Sequence, residues 1–255
     1  MKKRKNKKII LSSKEQESLK KGGAIAAELK RILRQRVKPG IKTKELDQLA
    51  EKFFRDQGVS AAFKGYRGYP ATIITAVNEE VIHALPGERI LREGDLLSID
   101  LGLIYQGIYL DTALTMIVGK DVYQQQAFCQ QGQRALEEAL AQCRPGQHVG
   151  DISAAMQRII ENAGWSVVRD YTGHGIGPEL HLPPAIPCFG KPGRGQQLQV
   201  GQALAVEVMY TEGSPELETA EDGWTVRTQD RSRAGHFEET VLVTEQGPLI
   251  VTKMR

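Results

Sequence analysis

The sequence predicts an α+β fold: two pseudo-symmetric halves sharing one mainly antiparallel sheet, with helices outside it. Three observations carry this. A helical segment recurs at a fixed offset, a hairpin with an aspartate in each arm follows the first copy, and two later strand-like runs hold carboxylates among apolar residues. At 255 residues, 40% apolar and 25% charged, the chain can bury one substantial core.

The recurrence is explicit. KPGIKTKELDQLAEKFFRDQGVS (38–60) and RPGQHVGDISAAMQRIIENAGWS (144–166) align at a constant offset of 106 residues. Pro39 meets Pro145, Gly40 meets Gly146, Leu46 meets Ile152, Phe53 meets Ile159 and Gly58 meets Gly164. Each copy opens with a Pro-Gly turn, runs with the apolar spacing of an amphipathic helix and stops at a glycine. An earlier helix precedes each copy, roughly 13–36 and 121–142, the first opened by a Ser13…Gln16 capping box. Strands with acidic residues follow, and Asp100 and Glu207 differ by 107. The expectation is one domain, 11–255, with halves of roughly 11–120 and 121–255.

The segment DLLSIDLGLIYQGIYLDTALTMIVG (95–119) reads as two β-rich runs around Tyr105-Gln106-Gly107, a hairpin signature. A turn centred on Tyr105 and Gln106 sets Asp100 opposite Asp111, with Cβ atoms about 5 Å apart on a face where like charges repel. A cation between them would turn repulsion into chelation; solvated edge aspartates, or a register that separates them, would also remove the conflict. In YTGHGIGPELHLPP (171–184), the glycines leave His174 on backbone free to take unusual dihedrals. His174 and His181 stand seven apart with Pro178 between, so they are not the helical zinc pair, whose ligands stand four apart.

The run ALAVEVMY (203–210) reads as a buried strand with Glu207 its only charge, and FEETVLVT (237–244) as a strand opening on Glu238 and Glu239. A buried carboxylate needs a partner. A lysine or arginine would serve any one of them, whereas Asp100, Asp111, His174, Glu207 and Glu238 together suit divalent metal. Four carboxylates and one imidazole are mainly hard donors, better for manganese, iron(II), cobalt or magnesium than for a thiolate-type zinc site. Carboxylates also bridge, so two ions roughly 3.5–4 Å apart could be held. Residue chemistry reaches a dinuclear metallohydrolase and no substrate.

The ordered motifs NEEVIHALPG, SIDLG…YLDTALT, YTGHGIG…H, AVEVM, DGWTVRT and HFEETVLVT resemble those of the type I methionine aminopeptidases, an M24-type metallopeptidase family. The likeness runs from about Ser13 to the C-terminus. It implies the pita-bread fold, with metals between the halves, and a monomer. It implies removal of N-terminal methionine from nascent proteins and peptides, with a small second residue, by attack of a metal-activated water. Two divalent ions (Mn, Fe(II), Co or Zn) would be bound, Asp111 and Glu238 bridging them, Asp100 chelating one, His174 and Glu207 completing the other. His83 would hydrogen-bond the substrate, His181 would stabilise the tetrahedral intermediate, and Glu207 would shuttle the proton of the attacking water. Phe63, Tyr66, Tyr69, Ile74, Leu180 and Trp224 would form the methionine pocket.

The chain departs from the family pattern at several of these places. Phe63 and Ile74 stand where many members have cysteine, and Leu180 where many have phenylalanine. Leu182 follows His181 in place of a common glutamate, and Glu239 follows Glu238 in place of a common histidine. Two other readings share the scaffold. An Xaa-Pro peptidase usually carries an additional N-terminal domain, and a non-catalytic binding protein typically loses metal ligands that are all retained here.

No apolar run approaches 18 residues, so no membrane span is expected. The basic start lacks the apolar stretch of a signal peptide. Cys129, Cys143 and Cys188 are odd in number and lack metal-ligand spacing; helical placement makes Cys129 and Cys143 core or interface residues, and a reducing, cytoplasmic setting is expected. The first eight residues, MKKRKNKK, hold six basic groups; without them 28 basic residues face 31 acidic, a net of −3. Residues 1–10 are expected to form a disordered basic tail, either weakly drawn to ribosomal RNA or simply solvated.

Overall fold

Each half opens with two helices and follows them with strands. In the computed structural model, which describes residues 10–254, α1 (Ser13–Arg36) and α2 (Thr43–Asp56) precede β1 (Ser60–Ala61), β2 (Ile73–Val77), β3 (Glu80–Ile82), β4 (Leu96–Tyr105) and β5 (Ile108–Ile117). Then α3 (Gln126–Ala141) and α4 (Val149–Asn162) precede β6 (Ser166–Val167), β7 (Thr172–Gly175), β8 (Leu182–Pro187), β9 (Ala203–Thr211), β10 (Leu217–Thr219), β11 (Val226–Thr228), β12 (Ala234–Thr244) and β13 (Gly247–Ile250). Both bounds of α2 and α4 keep the offset of the sequence repeat. The glycines outside them, Gly40 and Gly146 at one end and Gly58 and Gly164 at the other, all have positive φ (92°, 86°, 66° and 85°), where a Cβ would be strained.

The main sheet runs β1-β4-β5-β12-β9-β7-β8, with β2 added on β4, β6 on β9 and β13 on β12. The halves join where β5 pairs antiparallel with β12, Glu238 opposite Ala113. On one face α1 lies over β4 and β5 while α3 lies over β9 and β12. Strand alternation supplies that face. Ile99, Leu101 and Leu103 meet Leu29 and Leu33 in one core, and Val206, Val208 and Tyr210 meet Leu136 and Leu140 in the other. The residues between them, Asp100 and Glu207 among them, face the opposite side. That side is also covered, which is why β9 is buried at every position.

Several local expectations are corrected. The hairpin turn is Gln106-Gly107, not Tyr105-Gln106: Tyr105 pairs with Ile108, and the two central residues have φ of 50° and 79°. A type I′ turn needs positive φ at both centres and puts glycine at the second. Asp100 therefore opposes Ala113 and Asp111 opposes Gly102; the aspartates are diagonal neighbours, still on one face because the register moved by two. The capping box is Ser12 with Glu15, one residue before the expected pair, since an anionic carboxylate suits a helix N-terminus better than an amide. Gln16 instead donates to the Leu11 carbonyl at 2.9 Å.

Helix α3 starts at Gln126 rather than 121. The Asp121 carboxylate accepts from the backbone N–H of Gln125 and Gln126 at 2.7 and 2.8 Å, and Gln124 has φ of 56°. The expected tail lies outside the described residues except Ile10, which is half-buried and bridges Gln202. All three cysteines are free, Cys143 and Cys188 buried and Cys129 half-buried. Among the described residues no helix is long and apolar enough to cross a membrane.

Candidate metal centre

Strand register lines the acidic residues up across the sheet. Ile74 on β2 opposes Asp100 on β4, Asp100 opposes Ala113 on β5, Ala113 opposes Glu238 on β12, and Glu238 opposes Glu207 on β9. In the adjacent row Gly102 opposes Asp111, and Ala205 opposes both Thr240 and His174. The Thr240 hydroxyl ties that row together, accepting from the Asp111 N–H at 3.0 Å and donating to the Asp111 carbonyl at 2.7 Å. Residues two apart on a strand share a face, so all five expected ligands point to one side. Ala113, Gly102 and Ala205 between them are small enough to leave that space to the acidic side chains.

Donor atoms of Asp111, His174 and Glu238 all lie within 4.8 Å of one another, with Asp100 and Glu207 flanking them. His174 Nε2 is 3.9 Å from Asp111 Oδ2, while its Nδ1 is 3.0 Å from the Gly175 carbonyl. A carbonyl only accepts, so Nδ1 carries the proton and the Nε2 lone pair faces Asp111.

All four carboxylates are buried. Burial pushes Asp100 up to about 7, against the opposing charge of His236. Burial, and then the neighbouring carboxylates, hold Asp111 and Glu238 well above the usual range. Glu207 goes the other way: the burial penalty is outweighed by contact with His236 and the field of three histidines. Oδ1 of Asp100 and Oδ1 of Asp111 are buried with no hydrogen-bond partner among the described residues. Such unpaired, mutually repelling oxygens beside an imidazole lone pair are what a divalent cation satisfies, so the residues present fit the expected metal.

A cavity of about 440 Å³ opens over the rows, and every residue picked from the sequence as ligand, acid–base group or pocket wall lines it. Phe63 lies against Gly102, where an added Cβ would sit 2.7 Å from the ring. Tyr69 meets Trp224 edge to face at 5.3 Å, and its hydroxyl donates to the Ile73 and Ala84 carbonyls at 3.1 and 3.0 Å. Tyr66 Oη is 2.9 Å from His181 Nδ1, and the His181 ring packs on His174 with centroids 4.4 Å apart. Burial, reinforced by His174, pushes His181 down to about 4. Burial also lowers His83, whose backbone has φ of 60° and whose ring meets Tyr171 edge-on.

Of the residues that depart from the family pattern, Phe63, Ile74 and Leu180 line this cavity and Leu182 does not. Glu239 faces the opposite side of the sheet from Glu238. It pairs with Lys30 of α1 at 2.7 Å and accepts from the hydroxyls of Thr112 and Thr252. One residue beside the rows has no place among the sequence-derived candidates: His236. It stands two before Glu238 on β12, so the period-two spacing in HFE was the available signal. Its Nε2 lies 2.9 Å from Glu207 Oε2, off the line of an ideal hydrogen bond. Burial lowers the pKa of His236, but Glu207 outweighs this and holds it above the ordinary histidine value.

Buried carboxylates fit for divalent metal, in a cavity walled by aromatic and aliphatic side chains and by neutral histidines, are the equipment of a metal-dependent hydrolase. The chain belongs to metallopeptidase family M24, whose model matches residues 17–245. It is 41% identical over 236 residues to methionine aminopeptidase 1 of Bacillus subtilis, covering 92% of this chain and 95% of that one. Its structure is similar to that of methionine aminopeptidase from Thermotoga maritima, with a TM-score of 0.93 and 42% identity over 96% of this chain and 98% of that one. The prolidase from Pyrococcus furiosus shares the fold at a TM-score of 0.79, with 22% identity over 97% of this chain and 66% of the prolidase.

Proposed function

We propose that the chain is a methionine aminopeptidase, a metal-dependent exopeptidase that removes the N-terminal methionine from peptides and nascent proteins whose second residue is small. The observation that carries this is the convergence of Asp100, Asp111, His174, Glu207 and Glu238 on one cavity whose other walls include Phe63, Tyr69, Ile74, Leu180 and Trp224. Relatives sharing about two fifths of their residues over nearly the whole chain bear the same activity in their names. A proline peptidase is the weaker reading, because likeness to prolidase is confined to the fold.

In this proposal Asp100, Asp111, His174, Glu207 and Glu238 would hold two divalent ions, with Asp111 and Glu238 shared between them. Manganese, iron(II), cobalt or zinc, when bound, supplies a lowered water pKa and a polarised scissile carbonyl. Glu207, kept ionised beside His236, accepts a proton from the attacking water and passes it towards the leaving amine. His181 stays neutral because of burial; in the tautomer whose Nδ1 accepts from the Tyr66 hydroxyl 2.9 Å away, its Nε2 proton would serve the developing oxyanion. His83 hydrogen-bonds the substrate near the scissile peptide. Phe63, Tyr66, Tyr69, Ile74, Leu180 and Trp224 receive the methionine side chain, whose flexible thioether suits an aromatic-lined cavity.

The natural setting proposed is cytoplasmic and monomeric, in keeping with three free cysteines, with the basic segment MKKRKNKK drawn weakly to the ribosome. Deleting residues 2 to 8 should then lower salt-dependent ribosome co-sedimentation, and unchanged binding would remove that element. The activity itself is tested by hydrolysis of Met-Gly-Met-Met and Ala-Pro with apoenzyme reloaded separately with each metal. Metal-dependent methionine release without Ala-Pro cleavage is expected; cleavage of Ala-Pro alone would assign a proline peptidase.

A further inference from the structure

We infer that His236 is a positioning residue for the proposed aminopeptidase reaction: its imidazole holds the Glu207 carboxylate where that group can bind metal and move a proton. This rests on the function proposed above. Four observations support it. Among the described residues, His236 is the only ion-pair partner of Glu207, with Nε2 2.9 Å from Oε2. Its relative exposure is 1%, and it does not line the cavity, so it acts through Glu207 and not on substrate.

His236 is also fixed in place. The Thr115 hydroxyl accepts from its backbone N–H and donates to its carbonyl, both at 2.8 Å, and Ser98 lies 2.8 Å from that same hydroxyl. The imidazole is thereby referenced to β4 and β5, the strands that carry Asp100 and Asp111. Finally, Glu207 opposes Glu238 in the β9–β12 ladder, and His236 is the diagonal neighbour on the same face. One strand therefore presents the ligand Glu238 and, two residues earlier, the group that orients Glu207. With its Nε2 2.9 Å from a Glu207 carboxylate oxygen, His236 is a partner of a ligand and not a sixth ligand.

Outer partners of metal-binding side chains typically change metal affinity or activity by about 10–100-fold when removed. The test compares wild type, His236→Gln and His236→Leu. Manganese affinity is read by electron paramagnetic resonance titration of apoenzyme, and kcat and KM by release of methionine from Met-Gly-Met-Met. Glutamine can reach Glu207 with an N–H donor, and it should stay within about threefold of wild type, well inside the 10–100-fold loss expected for a missing partner. Leucine should lose about 10–100-fold in manganese affinity or kcat, with KM little changed. A leucine variant equal to wild type in both would overturn the inference. So would a glutamine variant as impaired as leucine, which would assign the effect to packing.

The unsubstituted enzyme gives a reading independent of variant folding. In ¹⁵N-labelled, manganese-free protein, Nε2 of His236 should be protonated; an unprotonated Nε2 could not donate to Glu207 and would end the proposal. A wild-type enzyme inactive on methionyl peptides would defeat the aminopeptidase function instead, leaving the manganese affinities to judge His236.

Discussion

Taking the metal-free protein from pH 7 to pH 8.5 should destabilise it, while the metal-loaded protein stays nearly unchanged. In the folded apoprotein, burial and neighbouring carboxylates hold Asp111 and Glu238 protonated well above the usual carboxylate range. In the unfolded chain both are ionised above about pH 5. A group whose pKa is raised by folding lends stability that is full below its unfolded pKa and is lost as pH rises through its folded pKa. While such a group stays protonated in the fold and is ionised in the unfolded chain, stability falls by about 1.4 kcal/mol per pH unit.

Lys30, lowered by burial, acts in the opposite direction in both forms; the other groups of the site do not reverse the sign. Asp100, raised to about 7, has lost most of its share by the start of the window. His236, also raised, acts in the same direction. His83, His174 and His181 are lowered, so their contribution is lost only as pH falls below about 6.5. A divalent ion replaces the protons with a charge that does not titrate away, and the gap between apo and loaded forms should widen with pH. Urea unfolding of chelator-treated and manganese-loaded protein at four pH values measures this. An apoprotein whose stability is flat across the window, or an equal fall in both forms, would refute the reasoning.

Removing Lys30 tests the outer side of the same strands. Lys30→Met should cost about 3 kcal/mol, the low end for a broken buried pair, because Glu239 is 14% exposed and keeps two hydroxyl donors. Glu239→Gln should cost more, since it strands a lysine that is 1% exposed; urea unfolding should show the double variant losing less than the sum, and strict additivity would dissolve the pair. Gly102→Ala places a Cβ 2.7 Å from the Phe63 ring, so KM for Met-Gly-Met-Met should rise more than kcat falls, and unchanged kinetics would remove Phe63 from the pocket wall. His181→Ala should lower kcat by roughly 10²–10³, the scale for one oxyanion donor, and a loss under tenfold would take that role away.

The repeat was fully legible because helix ends are local. Pro-Gly openings and C-terminal glycines fix the bounds of α2 and α4 without help from the rest of the chain. The five acidic and imidazole positions were legible for a different reason: a charge in an apolar strand conflicts with burial wherever it occurs. What failed depended on choices between near-equivalent neighbours. Tyr105-Gln106 and Gln106-Gly107 both fit the hairpin pattern, and only the demand for positive φ at both centres separates them. Ser12 with Glu15 and Ser13 with Gln16 both spell a capping box, and the difference is charge.

His236 stayed hidden because a histidine beside an apolar strand looks like ordinary core until the β9–β12 register puts it next to Glu207. Glu239 was conspicuous as a departure from the family, yet its meaning required Lys30, which lies 209 residues away in sequence.

The most direct test is a parallel titration of metal and activity. Apoenzyme would receive manganese in fractional equivalents while bound ion and methionine released from Met-Gly-Met-Met are counted together, for wild type, Asp111→Ala and Glu238→Ala. If the two rows hold a bridged pair of ions that drives methionine removal, wild type binds two equivalents and is silent without them, and each variant loses both the pair and the activity. Methionine release by the metal-free protein, or near wild-type turnover in either variant, would contradict it.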